Sequence, residues 1–181
     1  MHSTLRPTAL VARTAAALGA VVLLVGAPLL AHNASPRASV SQMIGMSKVT
    51  VDYGRPGVKE RAIWGELVPY GEVWKTGADA MTTLELGGDL EVGGTKLAAG
   101  TYGILTIPEE GQWTVVVTKR ADIHRPSTYD PAADDALRLT LVPETAPHQE
   151  RLQFTFDELT MTGADLVLHW ETKRVRIPIS E

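Results

Sequence analysis

Cysteine is absent from the 181 residues. That excludes disulfides, thiolate metal sites and a lipid anchor on a cysteine after a leader. Runs of basic residues are also missing. Of the 17 Lys and Arg residues, Arg6 and Arg13 lie in the first 31, while all 21 Asp and Glu residues lie beyond them. The body of the chain is therefore acidic and offers no footprint for nucleic acid. There is no G-x-S-x-G nucleophile motif. The histidines beyond His32 are His124, His148 and His169, too scattered to form H-x-H or H-x-x-x-H pairs. Asp122, His124, Asp130, Asp134 and Asp135 are close in sequence, but their pattern fits surface polarity, and no metal or cofactor is expected. No long amphipathic helix is available to cover a parallel sheet.

The first 31 residues contain a cationic start and the apolar run Ala15–Ala31. This reads as a signal peptide, or as an uncleaved N-terminal anchor, and places the folded part outside the cytoplasm: secreted, periplasmic or in the cell envelope. Any membrane contact would come from residues 1–31 if they stay attached. Residues 32–39 read as a flexible lead-in, and 40–181 as one domain.

From Val40 onward the apolar residues recur with period two. Val49, Val51 and Tyr53 alternate with Lys48, Thr50 and Asp52. Leu84 and Leu86, Ile104, Leu139, Phe154, Leu168 and Ile177 belong to similar short runs. Gly87-Gly88 and Gly93-Gly94 mark hairpin turns. Val115-Val116-Val117 predicts a strand buried on both faces. Asp130-Pro131 predicts a helix cap and first helical residue, for at most two turns. Residues 143–150 read as a loop, and a tight turn at Thr172-Lys173 separates two closing strands. The pattern predicts an all-β fold: an antiparallel, jelly-roll-like β-sandwich of about nine to ten strands.

One stretch breaks the alternation. Residues 53–81, YGRPGVKERAIWGELVPYGEVWKTGADAM, hold Tyr53, Trp64, Tyr70 and Trp74 among many Gly and Pro residues. The stretch is too broken for one helix or strand and too aromatic for disorder. It predicts an ordered loop over one end of the sandwich, and loops on rigid scaffolds often carry function. Arg55, Lys59, Arg61 and Lys75 offer donors to an anion. Trp64, Tyr70 and Trp74 offer flat walls suited to a sugar ring or to cation–π contact. Asp79 closes the set. Arg55, just after a strand and before Pro56, is the most firmly placed of these.

The same loop carries a family likeness. Tyr53-Gly54-Arg55-Pro56 through Trp74-Lys75-Thr76-Gly77-Ala78-Asp79 resembles the DUF2911 family. So does Gly94-Thr95-Lys96-Leu97-Ala98-Ala99-Gly100-Thr101-Tyr102-Gly103-Ile104, with the Trp113 strand and the closing Leu166–Ile179 stretch. The resemblance implies an exported bacterial β-rich domain and assigns no activity. Glu60 stands where that family commonly has Gly, and Asp79 where it commonly has Asn. If that amide contacts a ligand, specificity here differs.

The leading expectation is a binding domain that holds a small polar or anionic ligand, saccharides included, under the 53–81 loop. A hydrolase acting on carbohydrate through Glu66, Glu72 or Asp79 is the second reading, although no catalytic set can be assigned. A structural module of the cell envelope is the third, with loop charges paired to one another and Trp64 and Trp74 acting only as a plug.

Overall fold

The computed structural model describes residues 35–181. The expected signal peptide or anchor, residues 1–31, and the start of the lead-in, residues 32–34, lie outside the described residues. Among the described residues ten strands build two antiparallel sheets. They are β1 Arg37–Ile44, β2 Ser47–Gly54, β3 Thr83–Leu86, β4 Leu90–Val92, β5 Thr95–Leu97, β6 Gly100–Pro108, β7 Trp113–Thr118, β8 Asp135–Leu141, β9 Glu144–Asp157 and β10 Gly163–Ser180. One sheet has the order β1-β2-β3-β6-β7-β8, the other β5-β4-β10-β9. The β4–β5 hairpin crosses to the second sheet between the paired strands β3 and β6, a nesting of the jelly-roll kind. The fold is an antiparallel β-sandwich.

Alternation explains the core. Val49, Val51 and Tyr53 of β2 are buried, and so are Leu84, Leu86, Ile104, Val115 and Val117 on the same sheet. They meet Leu90, Val92, Phe154, Leu166, Leu168, Val175, Ile177 and Ile179 of the other sheet in one apolar cluster. Each buried aliphatic or aromatic side chain contributes about 1.5–3 kcal/mol relative to exposure. The outer face of β7 is covered as well. Val116 and Leu105 pack with Ile123 and Met81, flanked by Val73 and Tyr129. The polar segment between β7 and β8 is therefore held down by Ile123, and the three valines are buried on both faces. Gly93 and Gly94, with φ of 57° and 78°, form the β4–β5 turn, where two left-handed residues in a row favour glycine.

The short helix α1, Pro131–Asp134, begins where the sequence places it. The Asp130 carboxylate accepts the Ala132 N–H at 3.0 Å, and Pro131 sits at the first position. Other boundaries differ from expectation. β1 begins at Arg37, inside the expected lead-in. Residues 144–150, expected to be loop, form the start of β9. The two closing strands run as one continuous element, β10. It nevertheless doubles back, because Glu181 N–H donates to the Thr162 carbonyl at 2.8 Å and Arg176 Nη1 lies 3.6 Å from Asp165. A straight strand of that length would separate its ends by roughly 60 Å. The reversal sits at Glu171, whose φ is 54°. Its side chain accepts the Thr172 hydroxyl at 2.5 Å, so Arg174 pairs not with Glu171 but with Glu144, at 2.6 Å.

Candidate functional site

The 53–81 loop bridges the two sheets at one end of the sandwich. Its first limb pairs with β9: Val58 N–H donates to the Glu150 carbonyl at 2.8 Å, and Leu152 N–H to the Pro56 carbonyl at 3.0 Å. Its last limb pairs with β6 through Trp74 and Thr106. The Thr76 and Thr106 hydroxyls share a buried hydrogen bond of 2.8 Å, and the Thr82 hydroxyl donates to the Thr76 carbonyl at 2.9 Å. Gly54, at the end of β2, permits a close backbone approach. A Cβ there would lie 2.2 Å from the Ala78 carbonyl oxygen. The loop is an ordered strap fixed at both ends.

Its cations are engaged mainly by carbonyls. Arg55 Nε donates to the Leu152 carbonyl at 3.0 Å. Arg61 caps its own turn, with Nε to the Val58 carbonyl at 3.0 Å and Nη2 to the Gly57 carbonyl at 2.6 Å. Lys75 Nζ donates to the Asp79 and His124 carbonyls at 2.6 and 3.1 Å. Among the described residues none of the loop's charged side chains forms an ion pair, so mutual pairing does not account for them. Asp79 accepts the Ser35 N–H at 2.7 Å, tying the chain before β1 to the loop. Tyr70 is exposed, its ring against the Cα of Gly65.

All four tryptophans of the chain meet under the strap. Trp64 lies 4.5 Å from Trp113, 5.8 Å from Trp170 and 6.0 Å from Trp74, centroid to centroid. Trp74 stacks on Trp170 at 5.7 Å with an interplanar angle of 23°. Such pairs each add about 0.5–1.5 kcal/mol beyond burial. Trp74 Nε1 donates to the Gly77 carbonyl at 3.1 Å. The indole nitrogens of Trp64 and Trp170 are buried and find no partner among the described residues. Burial pushes the nearby Glu171 carboxyl up, but the Thr172 hydroxyl and N–H, the Trp64 indole and His148 outweigh it and hold it below the usual carboxylate range.

Beside this cluster lies an open hollow of about 290 Å³. Lys59 and Arg61 line it, with Trp74, Trp170, Leu67 and Val68, and with Pro56, Gly57, Gly77, Ala78 and Ser35. Among the described residues no carboxylate is on its wall. The Glu150 carboxylate approaches this part of the loop but accepts the Lys59 backbone N–H at 3.1 Å. Arg61 keeps three of its five N–H donors after its two carbonyl bonds. A second hollow of about 190 Å³ adjoins the first across Leu67, Val68 and Trp74. It is finished by Pro69, Glu72, Val73, Lys75 and Pro126.

Of the residues that the sequence singles out, Lys59, Arg61 and Trp74 share the larger hollow, and Lys75 lies on the smaller one. Arg55, Trp64, Tyr70 and Asp79 line neither. Arg55 instead secures the strap to β9, and Asp79 secures the chain before β1. The carboxylates weighed for acid–base work do not converge. Glu66 is exposed, Glu72 stands alone on the smaller hollow, and Asp79 is engaged by Ser35. Among the described residues no three His, Asp or Glu side chains gather as a metal site. Trp170 and Ser35 are site residues that sequence reasoning does not find, because they come from β10 and from the chain before β1, far from the loop in sequence.

The comparisons with known proteins agree with the loop likeness. A search of curated proteins and a search of solved structures returned no match. The family model described as "Protein of unknown function (DUF2911)" matches residues 35–179, from the chain before β1 to the end of β10. The hollow and both limbs of its strap fall inside the matched region, and the chain belongs to the DUF2911 family.

Proposed function

We propose that this protein is a non-enzymatic binding domain for a small organic anion, held in the hollow between Lys59, Arg61, Trp74 and Trp170. We also propose that residues 1–31 direct it out of the cytoplasm. One observation carries the binding reading: two cations and two stacked indoles share a concavity of about 290 Å³ whose wall, among the described residues, has no carboxylate. Cationic donors beside a low-dielectric aromatic floor bind carboxylate or phosphate more strongly than the same donors in open water. The hollow is within reach of the volume range of small-molecule sites. A hydrolase reading has no support of this kind, because acid–base chemistry on a glycoside needs two facing carboxylates.

Binding is tested by titrating the purified protein with hexanoate, glucuronate and inorganic phosphate, each against an uncharged analogue. Tryptophan fluorescence is the readout, since all four indoles belong to one cluster, with thermal shift as a second measure. The anions should quench or shift the emission and raise Tm, while hexanol and glucose leave both unchanged. A Lys59→Gln/Arg61→Gln variant should lose the response. Equal responses to charged and neutral probes, or no response to any probe, overturn the proposal.

A further inference from the structure

The two hollows are not independent. Leu67, Val68 and Trp74 line both, so these residues form a wall with a concavity on either side. The two sides differ in chemistry. The first has Lys59 and Arg61. The second is walled by Leu67, Val68, Pro69, Val73, Trp74 and Pro126, and its two charged residues are of opposite sign. Lys75 Nζ gives two of its three donors to carbonyls, at 2.6 and 3.1 Å, and Glu72 sets an anion on the same wall. Leu67, which stands at the boundary, is 44 % exposed and lines both hollows. Glu72 would also repel a second anionic group from this side.

We propose that the ligand is an amphiphilic anion. Its carboxylate or phosphate sits at Lys59 and Arg61, and its apolar tail crosses Leu67 and Trp74 into the hollow between Val73 and Pro126. This rests on the anion site proposed above and names the chemical class that fills it. A hydrophilic sugar acid would use the first hollow only and leave the apolar wall of the second uncovered. An unbranched tail laid over that wall removes its apolar surface from water. Each methylene buried on such a surface is worth about a fourfold gain in affinity. The gain ends once the tail fills the second hollow.

The test is a chain-length series of straight-chain carboxylates, from acetate to decanoate, kept below their micelle concentrations and titrated by tryptophan fluorescence and calorimetry. Affinity should climb by about fourfold per methylene over several carbons and then level off. Glucuronate should bind no better than acetate. Pro126→Glu places a carboxylate on the second hollow at an exposed position that packs into neither apolar core. It should abolish the climb and leave acetate affinity unchanged. Lys59→Gln/Arg61→Gln should weaken every member of the series alike. If acetate and decanoate bind equally well and both depend on Lys59 and Arg61, the anion site stands and the amphiphile assignment fails. If tail length matters but the two cations do not, or if no anion binds, the anion site itself fails. A climb that survives Pro126→Glu places the tail elsewhere and overturns the inference.

Discussion

Trp74 and Thr106 exchange both backbone hydrogen bonds, N–H to carbonyl at 2.8 Å and back at 2.9 Å. This reciprocal pair makes the last limb of the strap a one-residue extension of the six-stranded sheet. It sets the Trp74 ring on Trp170. Beside it, the Thr106 hydroxyl bonds the Thr76 hydroxyl, and both residues are wholly buried. Thr106→Val keeps the shape and removes one hydroxyl, leaving Thr76 only a long bond of 3.4 Å to the Trp74 carbonyl. The expected cost is about 1–3 kcal/mol. Hydrogen exchange at the Trp74 amide should quicken more than exchange in β2. Uniform behaviour across both segments would show that the pair does not anchor the strap.

Glu60 is in the left-handed region, with φ of 58°, next to Lys59 at 49°. A side chain there costs about 1–2 kcal/mol, whereas glycine loses about 0.5–1 kcal/mol more chain entropy on folding. The first effect is the larger, so Glu60→Gly should stabilise the protein by up to about 1 kcal/mol, or about 2–4 °C in Tm for a domain of this size. Glu60→Ala, which keeps the Cβ, should not. A drop in Tm with Gly would mean that the Glu60 side chain has a role that outweighs its backbone strain.

The same dihedral explains part of what the sequence could and could not say. Glu60 and Asp79 stand where the family resemblance implies Gly and Asn, and both residues are left-handed here, φ being 63° at Asp79. Gly and Asn are the residues that tolerate that conformation. Asp79 itself lines neither hollow, and its carboxylate accepts the Ser35 N–H. Regular alternation was legible at β2 because only one face of that strand is packed and period two follows directly, while β7 showed as an unbroken run of valines because both of its faces are covered. The start of β9 was not, because Glu144–Glu150 mixes Pro147, His148 and charged residues and is only weakly buried. Lys59, Arg61 and Trp74 could be read as site residues since they share one local loop. Arg55 could not be excluded locally. Its partner is the Leu152 carbonyl, 97 residues away, and no local pattern reports that contact.

That contact separates two arginines that look alike in sequence. Arg55→Ala removes a charged donor from the Leu152 carbonyl and loosens the first limb from β9. It should lower stability by about 1–2 kcal/mol while the folded protein keeps its anion response at low temperature. Arg61→Gln should do the reverse, with a modest loss of stability and a large loss of anion affinity. Chemical denaturation and fluorescence titration on both variants separate the outcomes. Loss of anion binding in Arg55→Ala, with the Lys59–Arg61 limb still protected from exchange, would return Arg55 to the site.

Acid should weaken the outer face of the four-stranded sheet first. The Arg174 guanidinium, hydrogen-bonded to Glu144 at 2.6 Å, leads the effects that hold this carboxyl below its ordinary value of 4.5, and Arg176 adds to it at 3.1 Å. A carboxyl with a folded pKa below its unfolded one binds fewer protons in the native state. Its contribution is therefore present above about pH 4.5 and disappears as the pH falls through the lower folded value. The group is partly exposed, so the effect is modest and salt-sensitive. Wild-type Tm should fall more steeply between pH 4.5 and 3 than that of Glu144→Gln, and 0.5 M NaCl should narrow the difference. Parallel curves for the two proteins at low salt would mean that the Glu144–Arg174–Arg176 cluster adds nothing to folding, and that β10 keeps its reversal through the buried Val175 and Ile177 alone.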